Sequence, residues 1–131
     1  MIALDASALL ALLRQETGHE FVAARLKRAA ISAVNLAEVY SCFARDGYDL
    51  AELVEGVRTL GIEVVPFSDE YAQMVAKLLP LTKAHGLSLG DRACLALAIS
   101  RSIPALTADK IWSDTGLPVE VVLLPERGAS Q

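Results

Sequence analysis

The chain has 131 residues, enough for one domain built on a single core, and only two cysteines, too few for a disulfide-dense scaffold. It is 53% hydrophobic with a mean hydropathy of +0.41, high for a small soluble monomer, so part of its apolar surface is expected to form a subunit interface. The net charge of −4 argues against a generally basic nucleic-acid binder, but it includes carboxylates whose charge a bound cation would offset, so it decides little about partners.

In chain order, a short β-type run at 2–4 ends at Asp5 and leads into a helical pattern at 6–14. Asp after a strand is commonly a helix N-cap, and Asp5 fits that use before Ala6. A second helical pattern spans 18–29, followed by a strand at 30–33 and a helix at 35–46. Glu38 stands three residues after Asn35, the spacing of a capping box with an Asn cap. Leu36, Val39, Tyr40 and Phe43 make the apolar stripe of that helix, and Glu38 points away from it.

Helix 49–60 then precedes strand 62–65, and helix 68–85 precedes helix 90–102. Asp91 follows Ser88 by three residues, again the capping-box spacing, yet it opens a run from Ala93 to Ile99 that is apolar on nearly every side, as in a helix buried within a domain. Strand 103–106 leads to Asp109, which fits the cap of a short irregular helix near 109–115, and the last strand is expected at 119–123. Strands alternating with helices predict an α/β fold with a parallel sheet, and residues 126–131 read as a frayed tail.

Asp5, Glu38, Asp91 and Asp109 each border or interrupt an apolar run. An isolated buried carboxylate is unfavourable, whereas several that converge on one magnesium or manganese ion are tolerable, because the cation offsets their mutual repulsion. Ligands of open parallel sheets bind beyond the carboxyl ends of the strands, where Asp5 and Asp109 fall. Helix capping explains each acid alone; a metal site explains all four together.

Other chemistry is poorly supplied. Cys42 and Cys94 have no CxxC spacing, neither HExxH, GxGxxG nor a Walker lysine motif occurs, and no plausible base is paired with Ser7 or Ser32. His19 and His85 stand at helix ends, and Asp46, Asp49, Glu52 and Glu55 on polar faces. No apolar run approaches the roughly 20 residues that span a bilayer, and no basic segment precedes the first apolar stretch, so a cytoplasmic location is expected.

The motifs Leu4-Asp5-Ala6-Ser7-Ala8-Leu9, Asn35-Leu36-Ala37-Glu38-Val39, Leu89 to Ala98 around Asp91, and Leu106-Thr107-Ala108-Asp109 together resemble those of PIN-domain ribonucleases, most nearly the VapC-type toxins of toxin–antitoxin pairs. The resemblance spans nearly the whole chain. It implies a single PIN domain over 1–131 with a three-layer α/β/α fold around a mainly parallel sheet of about five strands. It also implies a toxin that acts as a divalent-metal-dependent endoribonuclease.

On that resemblance Asp5, Glu38, Asp91 and Asp109 take the catalytic acid positions, with Asp5 and Asp91 as direct ligands of Mg2+ or Mn2+. Ser7 and Thr107 match accompanying hydroxyls, and Asp114 is a fifth acid of less diagnostic spacing. The implied partners are an RNA substrate, a cognate antitoxin and a second copy of the chain in a homodimer. Arg14, Arg25, Lys27, Arg28, Arg45, Lys83, Arg92 and Lys110 are available for RNA phosphates.

Three other classes stay open at this point. A haloacid-dehalogenase-like phosphohydrolase would want a second Asp where Ser7 stands, and a receiver domain would want adjacent acids near the first strand. A non-catalytic interaction module, its acids serving only as caps, would bind no divalent cation through them.

Overall fold

The computed structural model describes residues 1–126, so all but the first residue of the expected tail, 126–131, lies outside the described residues. Five strands, β1 (Ile2–Leu4), β2 (Ala29–Ser32), β3 (Glu63–Val65), β4 (Ala105–Thr107) and β5 (Val121–Leu123), pair in parallel in the order β3-β2-β1-β4-β5. The chain starts at the centre, runs to one edge, and returns past β1 to build the other. This reversal leaves a crevice at the carboxyl ends of β1 and β4.

The strands alternate in a way that sorts the two faces by size. Leu4, Ile31 and Leu106 stand side by side in register and face α1 (Ala6–Leu13), α3 (Ala33–Arg45) and α4 (Leu50–Arg58), together with α2 (His19–Ala23). The intervening residues Ala3, Ala30 and Ala105 face α6 (Leu89–Arg101), with α5 (Asp69–Thr82) and Trp112 on the same side. Alanines let the backbone of α6 lie close to the sheet, and the Cys94 thiol reaches the Ala3 carbonyl at 3.9 Å. With the sheet beneath it and α5 and α3 against it, α6 is buried from Ala93 through Ala98, which accounts for its lack of a polar face. The layers are therefore α/β/α, as the resemblance implies.

Several boundaries differ from the sequence reading. The predicted helix 18–29 is only the five-residue α2 and a 3-10 turn, Leu26–Arg28, because β2 begins at Ala29 in register with Ile2. Helix α3 starts at Ala33, capped by the Ser32 hydroxyl on Val34 N, so Asn35 lies inside the helix and is not its cap. The run predicted as 68–85 ends as helix at Thr82 and closes in a 3-10 turn at Gly86, whose φ of +68° suits glycine. Among the described residues, no helix is long and apolar enough to cross a membrane.

Candidate active site

Asp5 is fixed by the end of β1 and the start of α1. Its Oδ1 accepts hydrogen bonds from Ala8 N at 2.9 Å, the N-cap bond, and from the Ser7 hydroxyl at 2.6 Å. Its Oδ2 accepts from the Thr107 hydroxyl at 2.5 Å, a contact between residues 102 positions apart that strand order alone creates. Ser7 Oγ and Thr107 Oγ1 in turn accept from Ala108 N and Asp109 N, so the loops after β1 and β4 are tied together through this carboxylate. Only 5% of Asp5 is exposed. Burial raises its pKa above the ordinary 3.8, the bonds from Ser7, Thr107 and Ala8 oppose the rise, and the nearby Asp91 charge adds to it.

The other acids reach the same crevice from different elements. Asp91 forms a reciprocal capping box at the start of α6: its Oδ2 accepts from Ser88 N at 2.9 Å and its own N–H donates to Ser88 Oγ. Asp109 caps the 3-10 turn Lys110–Asp114, its Oδ1 accepting from Ile111 N at 3.1 Å. Glu38 is positioned differently from the capping box its spacing suggested. The buried Asn35 amide donates from Nδ2 both to Glu38 Oε1 at 3.0 Å and to the Gly90 carbonyl at 2.9 Å, bridging α3 to α6.

Gly90 makes that arrangement possible, since a Cβ there would fall about 2.6 Å from the Glu38 carboxylate carbon. Partial burial raises the Glu38 pKa, the Asn35 bond opposes this, and Asp91 adds to it. Asn35 and Gly90 were legible only as a cap and as part of a motif. Their bridging role needed the α3–α6 contact, which no local spacing signals.

All four predicted acids, with Ala6, Ser7, Asn35 and Ala108, line one cavity of about 330 Å3. Asp114 does not line it. No Lys or Arg lines it either, and the buried Cys94 thiol is pushed well above its ordinary pKa by burial and by the charges of Asp5, Asp91 and Glu38 together. A thiol so shielded is neither nucleophile nor ligand.

Asp91 Oδ1, Glu38 Oε2 and Asp109 Oδ2 accept no hydrogen bond from the described residues, whereas both oxygens of Asp5 are engaged. Among the described residues, no three acidic, histidine or cysteine side chains are grouped tightly enough to cage an ion as they stand. An all-oxygen donor set spread around an open cavity instead fits a hard cation that keeps several waters and takes one or two carboxylates directly.

The basic residues offered for phosphate contact divide. Arg92 donates to the Val75 carbonyl and tethers α6 to α5, so it is a strut and not a phosphate ligand. Arg14 and Arg45 pair with Asp46, and Lys110 with Glu126.

A family model described as the PIN domain matches residues 2–117. Comparison with curated protein sequences found no match. Among solved structures, the fold is similar to the VapC20 sarcin-ricin-loop-cleaving toxin of Mycobacterium tuberculosis, with a TM-score of 0.72, 19% identity, and coverage of 92% of this chain and 99% of that one. It is also similar to a toxin–antitoxin complex from Klebsiella pneumoniae (TM-score 0.71, 20% identity, 96% and 99% covered). A third is FitAcB from Neisseria gonorrhoeae (TM-score 0.68, 26% identity, 92% and 96% covered).

Proposed function

Because this chain belongs to the PIN-domain family, we propose that it is the toxin of a toxin–antitoxin pair and a divalent-metal-dependent endoribonuclease that hydrolyses RNA phosphodiester bonds. The observation that carries this reading is the meeting of Asp5, Glu38, Asp91 and Asp109, from four separate segments, on one cavity at the carboxyl ends of β1 and β4.

Asp5 and Asp91 would hold Mg2+ or Mn2+. When bound, the cation supplies neutralisation of phosphate charge and acidification of the attacking water. Ser7 and Thr107 keep the Asp5 carboxylate oriented by donating to both of its oxygens. Glu38, held by Asn35 through one oxygen, offers the other to orient the attacking water and accept its proton, and its raised pKa makes it a stronger base than an ordinary glutamate. Asp109, exposed at the rim, completes the acidic shell.

The position of Glu38 yields a direct prediction. Gly90→Ala should drive its flexible carboxylate off the α6 backbone, lowering RNA cleavage at least tenfold while leaving the circular dichroism melt close to that of the wild type. Paired melting and cleavage assays read both effects.

The antitoxin is proposed to dock in the apolar groove of about 310 Å3 that Leu13, Phe43, Tyr48, Leu53 and Val57 line beside α4, where Tyr48 is largely exposed. A homodimer would cover exposed Leu79 and Leu81 near the end of α5. The reading is tested by incubating the purified, partner-free chain with total RNA and Mg2+ or Mn2+. Cleavage that chelation abolishes supports it; intact RNA contradicts it.

A further inference from the structure

No Lys or Arg side chain lines the acidic cavity, and the chain is acidic overall, so side-chain contacts to the phosphates of an RNA substrate have to be supplied from elsewhere on the surface. Five Lys or Arg side chains among the described residues are neither in an ion pair nor bonded across to another helix as Arg92 is: Arg25, which bonds only the Phe21 carbonyl four residues back, and Lys27, Arg28, Lys77 and Lys83. Three of these stand together around a cavity of about 400 Å3 whose remaining lining is Met1, Ile2, Ala24 and Pro104. No acidic side chain lines it.

Its place in the fold is the amino end of the sheet: Ile2 opens β1, Pro104 precedes β4, and Leu26–Arg28 lead into β2. The acidic crevice lies at the other end, beyond strands of three or four residues, about 10–13 Å away through the sheet. Arg25 is already ordered: its guanidinium lies 3.3 Å from the centre of the Phe21 ring and donates to the Phe21 carbonyl at 2.8 Å, leaving other N–H donors for a ligand.

We propose that Arg25, Lys27 and Arg28 form a second site that holds single-stranded RNA by its phosphates, with the apolar floor of Met1, Ile2 and Pro104 receiving a base. Its use to the protein rests on the RNA-cleaving reading. It anchors a long strand at the amino end of the sheet while the strand passes around the domain to the acidic cavity. A short oligonucleotide at the scissile bond cannot reach both.

The test separates the two readings. Binding of a fluorescein-labelled oligouridylate is followed by anisotropy in EDTA, where no metal-dependent cleavage occurs, over a series of KCl concentrations. The Lys27→Gln/Arg28→Gln double variant retains the side-chain stems at two exposed positions, and Lys77→Gln/Lys83→Gln serves as the control. The slope of log affinity against log salt should become shallower by about 1.4 in the first variant, two single-strand phosphate contacts at about 0.7 each, and stay unchanged in the control. With Mn2+ present, the first variant should raise KM for long RNA at unchanged kcat and cleave a short oligonucleotide normally.

Equal slopes in both variants would overturn the site. So would a loss of affinity for a Glu-rich peptide with none for RNA. Absence of cleavage by the wild type would reject the nuclease while leaving the difference in salt slope, and so the binding site, in place.

Discussion

Asp91→Asn should lower metal-dependent RNA cleavage by about 100-fold or more while the protein stays folded. The asparagine keeps the polar atom that accepts from Ser88 N, so the capping box and the start of α6 survive. What is lost is the charge of a carboxylate that reaches both Asp5 and Glu38 electrostatically from the opposite side of the crevice. Assays with RNA and Mn2+, alongside the melting curve of the same preparation, distinguish a chemical defect from an unfolded one. Full activity in this variant would remove Asp91 from the mechanism.

A second large effect is expected in stability. The pKa values of Asp5 and Glu38 are raised in the folded protein, so their contribution to stability is fully present below the unfolded values near 3.8 and 4.5 and is lost as pH rises through the folded values. Without a divalent cation, Asp5→Asn should therefore melt above the wild type at pH 7, and the gap should close as the pH is lowered past 4. A cation reverses the order. At about 100 times its Kd, Mg2+ or Mn2+ should stabilise the wild type by about 2.7 kcal/mol, about 10 °C in Tm for a chain of this size, and leave Asp5→Asn nearly unmoved. Thermal melts with EDTA and with metal over pH 4–8 measure both signs.

Capping and convergence on one cavity are compatible for these acids. Asp5, Asp91 and Asp109 are helix caps, as their spacing indicates, and each lines the cavity because a helix that starts just beyond the carboxyl end of the sheet presents its capping residue to the crevice. The cap bond fixes the side chain; in Asp91 and Asp109 it leaves the second oxygen without a hydrogen bond from the described residues. Capping is thus the means by which the backbone aims these charges.

Glu38 was less legible. Its spacing from Asn35 suggests a cap, but Ser32 holds that position, and the register of β2 against β1 decides it. The same pairing shortened the helix expected over 18–29, since apolar Ala29 and Ala30 suit a helix end as well as a buried strand. Alternation of strand and helix made the fold class readable. Strand order did not follow from it, and it is strand order that brings Thr107 to Asp5 and assembles the crevice.

Calorimetric titration of Mn2+ into the purified chain at pH 7, repeated on Asp5→Asn and Asp91→Asn, tests most directly whether the gathered carboxylates act on a shared cation. Saturable binding to the wild type that either substitution weakens by tenfold or more is the predicted result. Heats no larger than dilution, or binding that both variants retain in full, would contradict it.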